Sequence, residues 1–105
     1  MDKLTVVCLV CWLAAGCSNA KRLEKHAHHY QAHNDFRSLE KVVKSMKPGM
    51  DTAFVKKLLG EPIDMGFDYR YLVDSTGPTG CAIGAVFHIG EQGKIDQQWI
   101  GEICE

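Results

Sequence analysis

The stretch Phe67-Asp68-Tyr69-Arg70-Tyr71-Leu72-Val73-Asp74 decides the class of this fold. Phe67, Tyr69, Tyr71 and Val73 alternate with Asp68, Arg70 and Asp74, a period of two that predicts a strand with one buried face. The run Ser75-Thr76-Gly77-Pro78-Thr79-Gly80 is turn-forming and leads to a second strand over about Cys81–Ile89, with Ile83, Ala85, Phe87 and Ile89 on one face. A third strand runs from Lys94 to about Ile103, with Ile95, Trp99 and Ile103 on one face. Between them, Gly90-Glu91-Gln92-Gly93-Lys94 fits a three-residue hairpin loop with Gly93 in the left-handed conformation.

Two registers compete in this hairpin. If Gly90 opposes Lys94, Ile89 meets Ile95 and Ala85 meets Trp99, so the apolar faces agree. Cys81 then opposes Ile103, and Cys104 falls on the other face. A two-residue Gln92-Gly93 turn pairs Cys81 directly with Cys104 but sets Phe87 against Gln98. Patterning favours the first register, in which a disulfide requires Cys104 to swing round at a frayed end or a bulge. With one sheet face covered by helices, Val86, Ile100 and Leu72 on the other form a candidate docking patch. Gly84 and Gly101, inside strands, suggest bulges or close backbone approach.

Upstream, the period changes to that of a helix. Asn34 or Asp35 can cap a first helix in which Phe36, Leu39, Val42, Val43 and Met46 share a face, and Pro48-Gly49 ends it. Asp51 can cap a second, with Phe54, Val55, Leu58 and Leu59 as its buried stripe. Gly60 supplies its left-handed terminus and Pro62 prevents restart. So short a helix needs a sheet to lie on. The expectation is an α+β domain over residues 34–105, two N-terminal helices packed on a three-stranded antiparallel meander.

The start of the chain carries a different message. Leu4 to Ala15 is an apolar run of twelve residues after Lys3, ending Leu13-Ala14-Ala15-Gly16-Cys17. A transmembrane helix needs about 20 apolar residues, so the run has the shape of a secretory signal over residues 1–16. Its ending resembles the lipobox of bacterial lipoproteins, which implies lipidation of Cys17 with diacylglyceryl and N-linked chains of the palmitate type. Two or more chains anchor stably where one does not. Ser18 resembles the residue that permits transfer to the outer membrane. Residues 17–33 read as a polar, His-rich tether.

Cleavage at Cys17 leaves 89 residues at the same net charge of −1, with no basic footprint for nucleic acid. Cys8 and Cys11 leave with the signal, so Cys81 and Cys104 form an even pair in an oxidising compartment and suggest a disulfide. No mature Cys-x-x-Cys is present for disulfide exchange. His26, His29 and His33 would share one side of a helix and are weak metal candidates; a solvated tether is the plainer reading. No spacing suggests a catalytic triad or a carboxylate pair, and no cofactor or small-molecule substrate is expected.

The segment Met46-Lys47-Pro48-Gly49-Met50-Asp51-Thr52-Ala53-Phe54-Val55-Lys56-Lys57-Leu58-Leu59-Gly60-Glu61-Pro62 resembles the recurring Gly-Met-Thr…Val…Leu-Leu-Gly-x-Pro segment of the SmpA/OmlA (BamE-like) family of small outer-membrane lipoproteins. Tyr69-Arg70-Tyr71 and Phe87…Gly93-Lys94-Ile95 fall where that family has an aromatic strand and a hairpin. The resemblance spans about residues 36–103, and Cys81 and Cys104 look more like the OsmE-type lipoproteins. It implies a helical pair on a three-stranded sheet and a periplasm-facing, non-catalytic lipoprotein that serves outer-membrane assembly or integrity. The same architecture resembles the repeat of β-lactamase inhibitory proteins, so fold alone does not choose the partner. The functional expectation is an envelope lipoprotein that binds another envelope protein. The alternative is an inhibitor or immunity lipoprotein that blocks a secreted hydrolase or toxin.

Overall fold

The structure, a computed structural model, describes residues 21–104. Cys17 and the leader expected over residues 1–16 lie outside the described residues. Three helices precede a four-stranded antiparallel sheet: α1 over residues 21–33, α2 Phe36–Ser45, α3 Thr52–Leu59, β1 Ile63–Asp64, β2 Asp68–Thr76, β3 Ala82–Ile89 and β4 Ile95–Ile103. The strand order is β1-β2-β3-β4. The α+β class holds, with one helix and one short strand more than the sequence predicts. No helix among the described residues is long and apolar enough to cross a membrane.

The extra helix corrects the tether reading over residues 21–33; residues 17–20 lie outside the described residues. Leu23, Ala27 and Tyr30 recur at i, i+4 and i+7; Ala27 and Tyr30 are buried and Leu23 packs against them. One alanine and one tyrosine make a stripe of low hydropathy, so the periodicity is faint although the packing is firm. The Tyr30 hydroxyl donates to the Leu72 carbonyl at 2.6 Å, and Gln31 Nε2 donates to the Leu58 carbonyl at 2.7 Å. Asn34 ends α1 with φ +52°, its amide donating to the Tyr30 carbonyl, in the left-handed region that asparagine tolerates better than most residues. Asp35 then caps α2, accepting from the Ser38 amide at 3.1 Å.

Leu39, Val42 and Val43 of α2 and Val55, Leu58 and Leu59 of α3 are buried with Tyr69, Tyr71, Val73, Ala85, Phe87 and Ile95 in one core between the helices and one sheet face. Phe36 and Phe54, expected in those stripes, are partly exposed at the helix edges. Asp51 holds the N-cap position of α3 without a side-chain bond, its backbone pairing instead with Lys94. Gly60 ends α3 at φ +88°, ψ −166°, a region outside the expected left-handed well but equally reserved for glycine. Its carbonyl accepts from the Tyr71 hydroxyl at 2.8 Å, tying the helix end to the sheet.

The hairpin uses both expected registers in turn. Ile89 opposes Ile95 and the Gly90 amide donates to the Lys94 carbonyl, as the three-residue loop requires, with Gly93 at φ +69°. Between that pair and His88–Gln97 the register shifts by one, leaving Asp96 as the extra residue of a bulge. Beyond it Phe87 opposes Gln98, Val86 opposes Trp99 and Ala85 opposes Ile100. Because side chains alternate, the shift reverses every face assignment after Asp96. Ile100 therefore turns to the core, and Trp99 and Ile103 turn away from it, the opposite of the sequence expectation. Gln98 enters the core side, its Nε2 donating to the Val43 and Met46 carbonyls at 2.7 and 2.5 Å. These are the Val43 carbonyl in the last turn of α2 and the carbonyl of its C-cap Met46, at a helix end where carbonyls run short of helical donors.

Candidate interaction surface

The sheet face turned from the helices is built in rows set by the register. Ile63, Arg70, Val86 and Trp99 oppose one another across the four strands. The next row is Leu72, Gly84 and Gly101, and beyond it Ala82 opposes Ile103. The glycines give this face a low floor beside raised apolar side chains. Gly84 is obligatory, since a Cβ there would come within 2.5 Å of the Tyr71 carbonyl oxygen; at Gly101 a Cβ would meet nothing within 4 Å. Ile63, Leu72 and Trp99 are 48%, 37% and 47% exposed, unusual values for large apolar side chains in a sheet.

Between them lies a shallow groove of about 340 Å³ lined by Ile63, Met65, Arg70, Leu72, Ala82 and Ile103. The β1–β2 turn shapes its rim: Gly66 takes φ +89° and its amide donates to Asp64 Oδ1 at 2.9 Å. Arg70 lies along the face with its Nε 3.2 Å from Asp68 Oδ1, both side chains largely buried, so charge there is paired. Of the predicted patch, Val86 and Leu72 are on this face and Ile100 is not; Ile63, Met65, Trp99 and Ile103 join it. The sequence missed them because β1 is too short to show a period and because the bulge at Asp96 reverses β4.

One end of the sheet is closed covalently. Cys81 and Cys104 form a disulfide, their Cα atoms 5.3 Å apart at the positions that the shifted register sets face to face. The Glu102 carboxylate beside it accepts from the Thr79 hydroxyl, from the Thr79 amide at 3.2 Å and from the Cys81 amide at 3.4 Å. The Thr79 hydroxyl bond, ahead of the backbone bonds, holds that carboxyl below its usual range. A side chain at Gly77 would strike Glu102, which explains glycine in that turn. Cys81, Glu102 and Cys104 are the one group of three potential metal ligands gathered among the described residues, but the two sulfurs are joined and offer no thiolate.

The histidines serve α1. His29 Nδ1 lies 2.9 Å from Asp35 Oδ1 and 2.7 Å from Ser38 Oγ, and its ring sits 4.4 Å from that of His33. Ser38, His29 and Asp35 thus meet in space although no spacing announced it. Both partners address the same ring nitrogen, whereas a base relay needs the hydroxyl on one nitrogen and the carboxylate on the other. The arrangement instead fastens α1 to the first turn of α2. Burial pushes the Asp35 carboxyl up, but bonds from Ser38 and His29 outweigh it and bring the pKa from 3.8 to about 2. His26, His29 and His33 are not brought together with a further ligand in any such group. Comparison of the chain with protein-family models, curated proteins and solved structures finds no match.

Proposed function

We propose that this chain is a bacterial envelope lipoprotein, anchored through acyl chains on Cys17, whose outer sheet face docks onto another envelope protein in outer-membrane assembly or integrity. The observation that carries the reading is the set of outward-facing apolar side chains Ile63, Leu72, Trp99 and Ile103 about an uncovered groove, on a small domain that has already filled its core on the other face. Its partner presents apolar side chains to the floor that Gly84 and Gly101 leave low, with rim groups that meet the Asp68–Arg70 pair. The Leu13-Ala14-Ala15-Gly16-Cys17 ending supports export and lipidation, and the resemblance over residues 36–103 supports the envelope role.

The test replaces Ile63 and Leu72 with aspartate in cells that carry no other copy. Both side chains project from the outer face, so the purified variant keeps the parent's circular dichroism. The expected result is an outer membrane that loses its barrier to large antibiotics while the lipoprotein remains membrane-bound. An intact barrier with this variant would overturn the docking role.

A further inference from the structure

The register of β4 is a choice between two pairings, and the structure holds the one that apolar patterning disfavours. Without the bulge, Ala85 would face Trp99. Trp99 and Ile103 would then enter the core side with Gln97 opposite Phe87, and Asp96, Gln98, Ile100 and Glu102 would turn to solvent. The observed pairing exposes Trp99 instead and leaves Gln98 half-buried on the core side, its Oε1 enclosed with no hydrogen-bond partner among the described residues. An enclosed, unpaired acceptor opposes the pairing that creates it. What the observed register gains is the alignment of Cys81 with Cys104; in the other, Cys81 faces Ile103. Gln98 Nε2 and the Glu102 bonds to Thr79 and Cys81 support the same register, yet each forms only once it has been chosen.

We infer that the Cys81–Cys104 disulfide is a register lock: it holds Trp99 on the outer sheet face, and its reduction lets β4 slip by one residue and carries Trp99 into the core. The slip removes the Asp96 bulge, keeps the Ile89–Ile95 pair and the turn, and leaves β3 in place, so it needs only the β4 segment beyond the bulge to move. The chemistry is an exchange with a dithiol reductant. Its thiolate attacks one sulfur of the bond, its second thiol closes the reductant's own disulfide, and two electrons with two protons leave Cys81 and Cys104 as thiols. The consequence for docking rests on the proposed function: Trp99 stands at the end of the row that forms the docking face, so the locked chain presents it and the reduced chain withdraws it.

The experiment uses the full chain with Trp12→Phe, which leaves Trp99 as the one indole. Acrylamide quenching of Trp99 is read before and after a dithiol reductant, and again in a Cys81→Ser, Cys104→Ser chain. The expected result is free quenching when oxidised and a several-fold smaller quenching constant, with blue-shifted emission, in the reduced and serine chains. A chain from which Asp96 is deleted has no bulge to give up, and its Trp99 stays quenchable in both redox states. Unchanged quenching on reduction, or unfolding on reduction, overturns the lock. Because this is read on the isolated chain, failure leaves the docking role standing, and an intact membrane barrier in the test above would leave the lock standing.

Discussion

Removing the Tyr30 side chain discriminates between a fold that includes α1 and one that merely trails it. Tyr30 is 5% exposed, its ring lies edge-on to Tyr71 with centroids 6.5 Å apart, and its hydroxyl donates to Leu72 in the sheet. Burial pushes its pKa up to about 12, so the donor stays protonated through the whole neutral range. Tyr30→Phe keeps the ring and deletes one bond to a carbonyl, which costs about 1 kcal/mol. Tyr30→Ala also removes the ring, and large-to-small changes of this kind cost roughly 3–5 kcal/mol. The loss saturates where it equals the free energy that docks α1, because the helix then simply detaches. Urea unfolding followed by circular dichroism reads both variants, and melting should fall by about 4–8 °C for each kcal/mol in a domain of this size. Tyr30→Ala within about 0.5 kcal/mol of the parent, the range of an ordinary surface change, would refute the packing of α1.

The two sheet glycines separate cleanly. Gly84→Ala should lower the urea midpoint by an amount equivalent to roughly 1–3 kcal/mol, since the methyl meets backbone that has nowhere to move, whereas Gly101→Ala should leave it unchanged or slightly raised. Acid exposes the α1–α2 joint: the folded pKa of Asp35 lies below its ordinary 3.8, so its contribution is complete above about pH 4 and is lost as pH falls through about 2. Asp35→Asn, which keeps an oxygen to cap Ser38, should flatten the fall in stability over that interval in acid titrations followed by circular dichroism.

Much of the architecture was legible wherever a period ran long enough to be distinctive. Leu39, Val42 and Val43 announced α2, the aromatic alternation announced β2, and Asp51 with Gly60 bracketed α3. The parts that escaped share a physical reason. In α1 the buried stripe rests on a single alanine and an amphipathic tyrosine, which carry little hydropathy signal beside the eight charged or histidine residues of the same helix. β1 is two residues long and exists through its pairing with Tyr69 and Arg70. Asp96 is the instructive case, because a bulge is invisible to patterning yet reverses every later residue of its strand. The sequence posed Cys81–Cys104 and the three-residue loop as rivals; one extra residue lets the sheet satisfy both. Gly84 was legible as a close approach, and Gly101 was not distinguishable from it without the strand partners.

The central claim joins a membrane anchor to a docking face, and the anchor is the part on which the rest depends. Intact-mass spectrometry of the protein extracted from bacterial membranes tests it most directly. A mature chain that begins at Cys17, carries the added mass of a diacylglyceryl group and an N-linked acyl chain, and loses that mass with Cys17→Ser is the expected result. A chain that retains residues 1–16, or begins at an unmodified residue, would contradict the account.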